Sequence, residues 1–275
     1  QIGAINIGGM SQEQFSIITQ QLGQILQRFG VPEQLSTIEA TAPLSPQARQ
    51  VAQAVEQKME EAETRFGSPV GNPVAYVELG NVTYNGKNYS DALSYYDKAL
   101  AIDPKYVNAW YNRGNALYDL KRYEEAVASY DQAIALDPKY ANAWYGRGIA
   151  LGNLKRYDEA VASYEKALAI DPKYAIAWFN RGIALGNLGR HQEAVASYDK
   201  AIALDPKDAS AWVGRGIALR KLGQDKEAVA SYDKALAIDP KYAAAWYGRG
   251  YALQKLGRQR EAEQSFQKAR ELGKK

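Results

Sequence analysis

All five tryptophans of this chain, Trp110, Trp144, Trp178, Trp212 and Trp246, stand 34 residues apart. The same step separates Gly80, Gly114, Gly148, Gly182, Gly216 and Gly250, then Ala92, Ala126, Ala160, Ala194, Ala228 and Ala262, and then Pro104, Pro138, Pro172, Pro206 and Pro240. A period of this length confines the fold to an array of like units, since one unit cannot bury its own apolar faces and must stack on its neighbours. Within a unit, Trp110, Arg113, Gly114 and Leu117 are spaced as one helical face, and Ala126, Val127, Tyr130, Ala133 and Ile134 as another. Asp119-Leu120-Lys121-Arg122-Tyr123 makes the turn between them, and Asp137-Pro138 ends the second helix, because a proline ring forbids its continuation. Gly114 and Ala126 let the paired helices approach closely, with Trp110 and Tyr130 as bulk beside them.

A 34-residue step that carries Trp, Gly four residues on, then Ala, an aromatic, Ala and Pro resembles the tetratricopeptide repeat (TPR) family. The resemblance implies an all-α fold, a right-handed α-solenoid superhelix of six TPR helix pairs. The copies fall at 73–106, 107–140, 141–174, 175–208, 209–242 and 243–275. The end copies depart from the pattern: Tyr76 replaces Trp in the first, and the last has Phe266 for Tyr and no closing Asp-Pro. Terminal repeats differ because one of their faces meets water or another domain.

Residues 1–72 do not share the period and read as a small, mostly helical N-terminal segment. Ile2, Ile5 and Ile7 with Gly8-Gly9 suggest a short strand or the last rung of something truncated. Ser11-Gln12-Glu13-Gln14 has the form of a capping box opening a helix that stops near Gly30, and a second helix is expected from Ser45 to about Phe66. Gly67 to Pro73 reads as a linker. The segment either caps the first repeat or joins the array to an effector domain on its N-terminal side. A chain starting at Gln1 is expected to be a piece of a longer or processed protein.

No stretch is long and apolar enough for a membrane span and no secretory pattern opens the chain, so the expected compartment is the cytoplasm, without a membrane partner. With no cysteine there are neither disulfides nor thiolate metal sites. Catalysis finds little to work with. The one histidine, His191, holds a turn place taken by Tyr123 and Tyr157 in earlier copies and is expected to be exposed. Gly80 to Asn88 is a poor phosphate loop: its glycines are five residues apart, Asn88 stands where Ser or Thr is needed, and no strand precedes it. Asn81-Val82-Thr83 and Asn88-Tyr89-Ser90 match the glycosylation pattern by chance. The acids repeat with the helices instead of converging, so no catalytic residue, metal or cofactor is expected.

In TPR proteins the first helix of each pair lines the concave groove. Carried over copy by copy, the resemblance points to Val77, Asn81 and Tyr84; Asn108, Tyr111, Asn115 and Tyr118; Asn142, Tyr145 and Asn153; Ile176, Phe179 and Asn187; Val213, Arg220 and Lys221; and Tyr247, Tyr251, Gln254 and Lys255. Such a list suits an extended peptide or a partner protein surface: asparagine amides pair with main-chain groups, and tyrosines offer flat apolar area with a polar tip. The tyrosines alternatively pack only against their own neighbours. Some TPR domains grip chaperone C-termini in a carboxylate clamp, but Val77, Tyr111, Tyr145 and Phe179 occupy the place of its first lysine, which argues against that ligand. Residues 1–72, 73–206 and 207–275 carry net charges of −3, −1 and +7. The basic end at Arg220, Lys221 and Lys255 favours an acidic peptide segment or C-terminal carboxylate. Single-stranded nucleic acid is disfavoured, because the near-neutral middle offers no continuous positive stripe. The remaining alternative is a module that holds a homo-oligomer together or positions an effector.

Many TPR copies carry leucine three residues after the Trp place, whereas here Arg113, Arg147, Arg181, Arg215 and Arg249 stand there and only the first copy keeps Leu79. An acid follows the second-helix aromatic in copies one to five: Asp97, Asp131, Glu165, Asp199 and Asp233. Each arginine is expected to pair with the acid of the preceding copy; the rivals are pairing with Asp103 and its equivalents, or extension into water. Ser129 and Ser163 are expected on the convex side.

Overall fold

A computed structural model describes residues 73–273. The helices and strand expected before Pro73 lie outside the described residues. Twelve helices and no strand are found among the described residues: α1 Pro73–Asn85, α2 Tyr89–Ile102, α3 Val107–Asp119, α4 Tyr123–Leu136, α5 Ala141–Asn153, α6 Tyr157–Ile170, α7 Ala175–Asn187, α8 His191–Leu204, α9 Ala209–Lys221, α10 Asp225–Ile238, α11 Ala243–Lys255 and α12 Gln259–Leu272. Pro73, expected to close the linker, instead opens α1, where a missing N–H costs nothing. The chain divides into two compact units, one ending at Asp137 with α1 to α4, the other starting at Pro138 with α5 to α12.

The two kinds of turn have different chemistry. Between the helices of a pair the chain reverses through one left-handed residue, Lys87, Lys121 and Lys155 in the first three pairs and Gly189, Gly223 and Gly257 in the last three, with φ from 60 to 76°. The Arg122 N–H then reaches back to the Leu117 carbonyl at 2.9 Å, closing the helix end. His191 is the first residue of α8, half-buried, and not an exposed turn residue. Between pairs, the aspartate before each proline folds its side chain onto the backbone: Asp103 Oδ1 accepts from Lys105 N at 2.9 Å, and Asp171, Asp205 and Asp239 do the same. The next tryptophan closes the loop, its Nε1 donating to the proline carbonyl at 2.9 Å for Trp110 and Pro104 and at 2.9–3.2 Å for its equivalents. That bond explains why Trp and Pro keep one period.

Packing within a pair turns on the periodic glycine. A Cβ placed on Gly114 would lie 2.6 Å from Cε1 of Tyr130, and one on Gly148 2.5 Å from that of Tyr164, inside any real contact. The ring fills the space that the missing side chain leaves. In unit 2 the same ring also meets the following pair: Tyr198 is wedged between Gly182 and Gly214, and Tyr232 between Gly216 and Gly248. Tyr198 and Tyr232 thereby each set two helix distances at once.

Neighbouring pairs are tied by the arginines. Arg113 Nε bonds Asp97 Oδ1 at 2.6 Å; in unit 2, Arg181 meets Glu165 at 2.7 Å, Arg215 meets Asp199 at 2.6 Å and Arg249 meets Asp233 at 2.7 Å. Arg147 and Asp131 belong to different units. The rival partner is occupied otherwise, since Asp103 holds its own turn. Ser129 and Ser163 are not convex surface residues: both are buried, and each accepts a second bond from its arginine, Arg113 Nη1 or Arg147 Nη1, at 2.7 Å. Ser197, Ser231 and Ser265 repeat the arrangement, and each serine donates to the carbonyl of a glutamate one turn earlier. The guanidinium of Arg113, Arg181, Arg215 and Arg249 also lies over its own tryptophan at 5.7–6.0 Å. The first copy lacks the whole set, with Leu79 and Tyr95 in place of arginine and serine.

Gly148→Ala is expected to destabilise by about 1–3 kcal/mol through overpacking, whereas Gly152→Ala, where a Cβ meets nothing, is expected to stabilise by about 0.5–1 kcal/mol through helix propensity; urea melts of the two variants check the signs. For the ladder, a double-mutant cycle on Arg215→Met and Asp199→Leu is expected to give a coupling of about 0.5–1 kcal/mol, because the aspartate side chain is 51% exposed. Ser231→Ala should cost more, roughly 1–3 kcal/mol, since it strands a donor in a buried place.

Candidate functional site

The candidate residues fall on the first helix of each pair, and within unit 2 the first helices α5, α7, α9 and α11 touch in succession. Their apolar stripe faces the second helices, so positions displaced from it by part of a turn are left to solvent. The units differ in what they present there.

In unit 1 much of the expected polarity is already used. Asn81 Oδ1 accepts from both the Tyr96 hydroxyl and Asn112 Nδ2 at 2.9 Å, and Asn115 Oδ1 accepts from the Tyr130 hydroxyl at 2.8 Å. These two asparagines hold the fold through their carbonyls, and the Asn81 side chain also hydrogen-bonds the Glu78 carboxylate. Asn81 is half-buried in α1. Tyr84 donates to Asp119 and packs on Tyr89, Tyr118 packs on Tyr123, and Tyr111 leans on Tyr130. Burial drives the hydroxyl pKa of Tyr84, Tyr96 and Tyr130 well above the usual tyrosine range, with nearby Asp119 adding to the effect on Tyr84. Asn108 is exposed, while Val77 is buried and belongs to the core.

Unit 2 carries a more apolar face. Tyr145 stacks on Tyr174 at 4.8 Å and its hydroxyl accepts from Asn180 Nδ2 at 2.9 Å; Phe179 rests on Tyr198. Asn142 Oδ1 accepts from the Tyr174 hydroxyl, and the amides of Asn153 and Asn187 donate to carbonyls of their own helices, Ile149 and Ile183. Val213 is buried and drops out of the face. Ile176, Ile183, Ile217 and Tyr247 are exposed at 51, 41, 46 and 52%, large apolar side chains left bare on successive first helices. Ile183 and Ile217 were not among the expected residues, although 34-residue steps from Asn115 lead to both.

The last two pairs of unit 2 gather the basic end. Arg220 lies over the ring of Tyr251 at 5.8 Å, Tyr251 shares a hydroxyl contact of 2.9 Å with Tyr247, and both rings meet Phe266 edge-on. Lys221, Gln254 and Lys255 are exposed beside them. Among the described residues no three His, Cys, Asp or Glu side chains are placed to hold a metal ion, and no helix is long and apolar enough to cross a membrane.

Helix pairs repeated at 34 residues, closed by Trp–Pro loops and bearing a partly bare first-helix face, define a helical-repeat protein. Family models described as TPR repeat match residues 80–121 and 114–155, and others described as tetratricopeptide repeat match 141–174, 179–243 and 231–264. The chain belongs to the tetratricopeptide repeat family. Among solved structures it is similar to PilW, described as a widely conserved type IV pilus biogenesis factor, at 26% identity and a TM-score of 0.61 over 71% of this chain and 91% of PilW. It is similar to the MamA protein at 27% identity and 0.58, over 62% of this chain and 93% of MamA. A third, YrrB, described as a TPR protein with an unusual peptide-binding site, shares the fold at 24% identity and 0.59, over 68% of this chain and 95% of YrrB. No curated protein sequence matches it significantly.

Burial pushes the hydroxyl pKa of Tyr198 and Tyr232 from 10.0 up to about 12; at Tyr232 the charge of Arg220 and its side-chain hydrogen bond partly oppose it and Asp225 adds to it. The folded chain therefore holds these protons more tightly than the unfolded chain. Their stabilisation is complete below pH 10 and is lost as the pH rises from there through about 12. In an alkaline titration, the last tyrosinate absorbance is expected to appear together with loss of helical circular dichroism.

Proposed function

We propose that this chain is a non-catalytic protein-interaction module, the adaptor or sensor part of a larger protein, that binds an extended peptide or a partner surface along its first helices. The observation that carries the reading is the run of exposed Ile176, Ile183, Ile217 and Tyr247 on adjacent first helices of unit 2. Large apolar side chains left in water on one face are what a partner covers, and stiff branched or aromatic groups lose little entropy when covered. Around them Tyr145, Phe179, Asn153 and Asn187 supply flat surface and polar edges suited to a main chain. In unit 1, Asn108, Tyr111, Tyr118 and the amide of Asn115 offer the same chemistry on α3. Toward the C-terminal pairs Arg220, Lys221 and Lys255 favour an acidic stretch of the partner. Nucleic acid fits less well, because the excess of cations over acids sits at that end only.

Panning of a phage-displayed random peptide library on the chain tests the reading. Selected peptides are expected to lose about 1–3 kcal/mol of affinity for each of Ile183→Ala, Ile217→Ala and Tyr247→Ala if these are anchors. Lys200→Ala and Lys234→Ala, exposed on the second helices, are expected to change nothing. Equal losses on both faces would contradict the assignment.

A further inference from the structure

The first and last helix pairs are finished differently. In unit 2, Val195 and Ile202 of α8 pack on the pairs that follow, Ile202 clustering with Ala211 and Trp212 of α9. The same registers in α12 hold Glu263 and Arg270, which pair with one another at 2.6 Å and stay well exposed. Charges in both stacking positions give α12 the polar outer face of a terminal repeat.

The first pair does the reverse. Ala211, Gly214 and Arg215 mark the registers that meet the pair before: Ala211 packs on Ile202, Gly214 touches the Tyr198 ring and Arg215 bonds Asp199. In α1 these places are Ala75, Glu78 and Leu79, and no repeat precedes them. A face left to water would be polar there. Instead α1 and α2 carry Tyr76, Leu79 and Tyr95 where every later pair has Trp, Arg and Ser. All three are buried, at 2, 5 and 6% exposure, although the arginines in the register of Leu79 stay partly exposed between two pairs. Burial also raises the carboxyl pKa of Glu78 above its ordinary value, with the Asn81 hydrogen bond opposing it. Among the described helices α1 packs mainly on α2 and α3, which belong to its own pair and the one after.

We infer that residues 45–66 dock on this face of α1 and α2, in the place that the second helix of a preceding pair would take. The connection fits, since residues 67–72 lead from that segment into α1 much as residues 103–106 lead from α2 into α3. The pattern fits as well. Ala48, Ala52, Val55, Met59, Ala62 and Phe66 recur every three or four residues, the apolar stripe of a helix that buries one side. Its alanines allow close approach, and Val55, Met59 and Phe66 supply bulk to set against Tyr76, Leu79 and Tyr95. The burial of those three is present within a single chain, which favours a segment of the same chain over a second copy or an outside domain. Docking there closes the stack at its first pair as the Glu263–Arg270 pair closes it at the last, so the array does not lengthen by end-to-end association.

The chain has no cysteine, so a nitroxide attached through Gln57→Cys, off the apolar stripe, labels the whole chain at one place. In nitrogen-15 NMR it is expected to broaden the amides of α1 and α2 most strongly, Leu79 and Tyr95 among them. A mixture of spin-labelled chain and nitrogen-15 chain without the label is expected to show no broadening. Val55→Asp with Met59→Asp in the labelled chain is expected to abolish the effect and to speed amide exchange at Leu79 about tenfold. Broadening in the mixture would give the face to a second copy and overturn the inference. Broadening strongest on other helices, or none, would overturn it too. Unchanged broadening in the double aspartate variant would overturn the apolar stripe as the contact.

Discussion

The ring of each second-helix tyrosine sits where a neighbouring helix has no Cβ, and the separation of the helices follows from that contact. A methyl group on Gly148 or Gly216 would overlap a fully or nearly fully buried ring, so the pair would open or the ring would leave its rotamer. Because Tyr198 and Tyr232 each touch a glycine of the next pair as well, spacing within pairs and spacing between them are one constraint in unit 2. The arginine hubs act on top of it. Arg215 connects Asp199 of one pair to Ser231 of its own while lying on Trp212, so three directions are set by one planar group. The salt bridge itself adds little, since its acid faces water; the buried serine bond makes the arginine hard to replace.

This division of labour explains what is left over for binding. The stripe that contains Gly, Ala and Leu on each first helix is spent on the tyrosine and its neighbours, and the Trp end is spent on the loop. Only positions away from both remain, and there the copies stop resembling one another: Asn115, Ile149, Ile183, Ile217 and Tyr251 share a register but not a chemistry. Divergence at fixed register is what a surface shaped by a partner requires, because the frame behind it stays constant.

Much of the fold was legible because its causes are periodic. Trp, Pro, Gly, Tyr, Arg and the following acid repeat in step, and a pairing such as Arg113 with Asp97 could be read from which copies lack which partner. The serine half of the hub was equally periodic yet was read as surface, since a small polar residue on a helix gives no sign of burial until its partner is known. Asn81 and Asn115 were read as ligand groups, and their carbonyls turned out to be claimed by tyrosines of their own pairs. Val77 and Val213 lie on first helices as expected but inside the core. Nothing in the sequence marks Ile183 and Ile217 as exposed, since their register is asparagine in the first two copies and isoleucine in the next three. Helix assignment needs only the period, whereas the character of a face depends on how each side chain's bonds are spent.

Hydrogen–deuterium exchange of the chain with and without a phage-selected peptide measures most directly which face receives a partner. The account predicts added protection in α5, α7, α9 and α11, greatest near Ile183 and Ile217, with α6, α8, α10 and α12 unchanged. Protection confined to those second helices would contradict it.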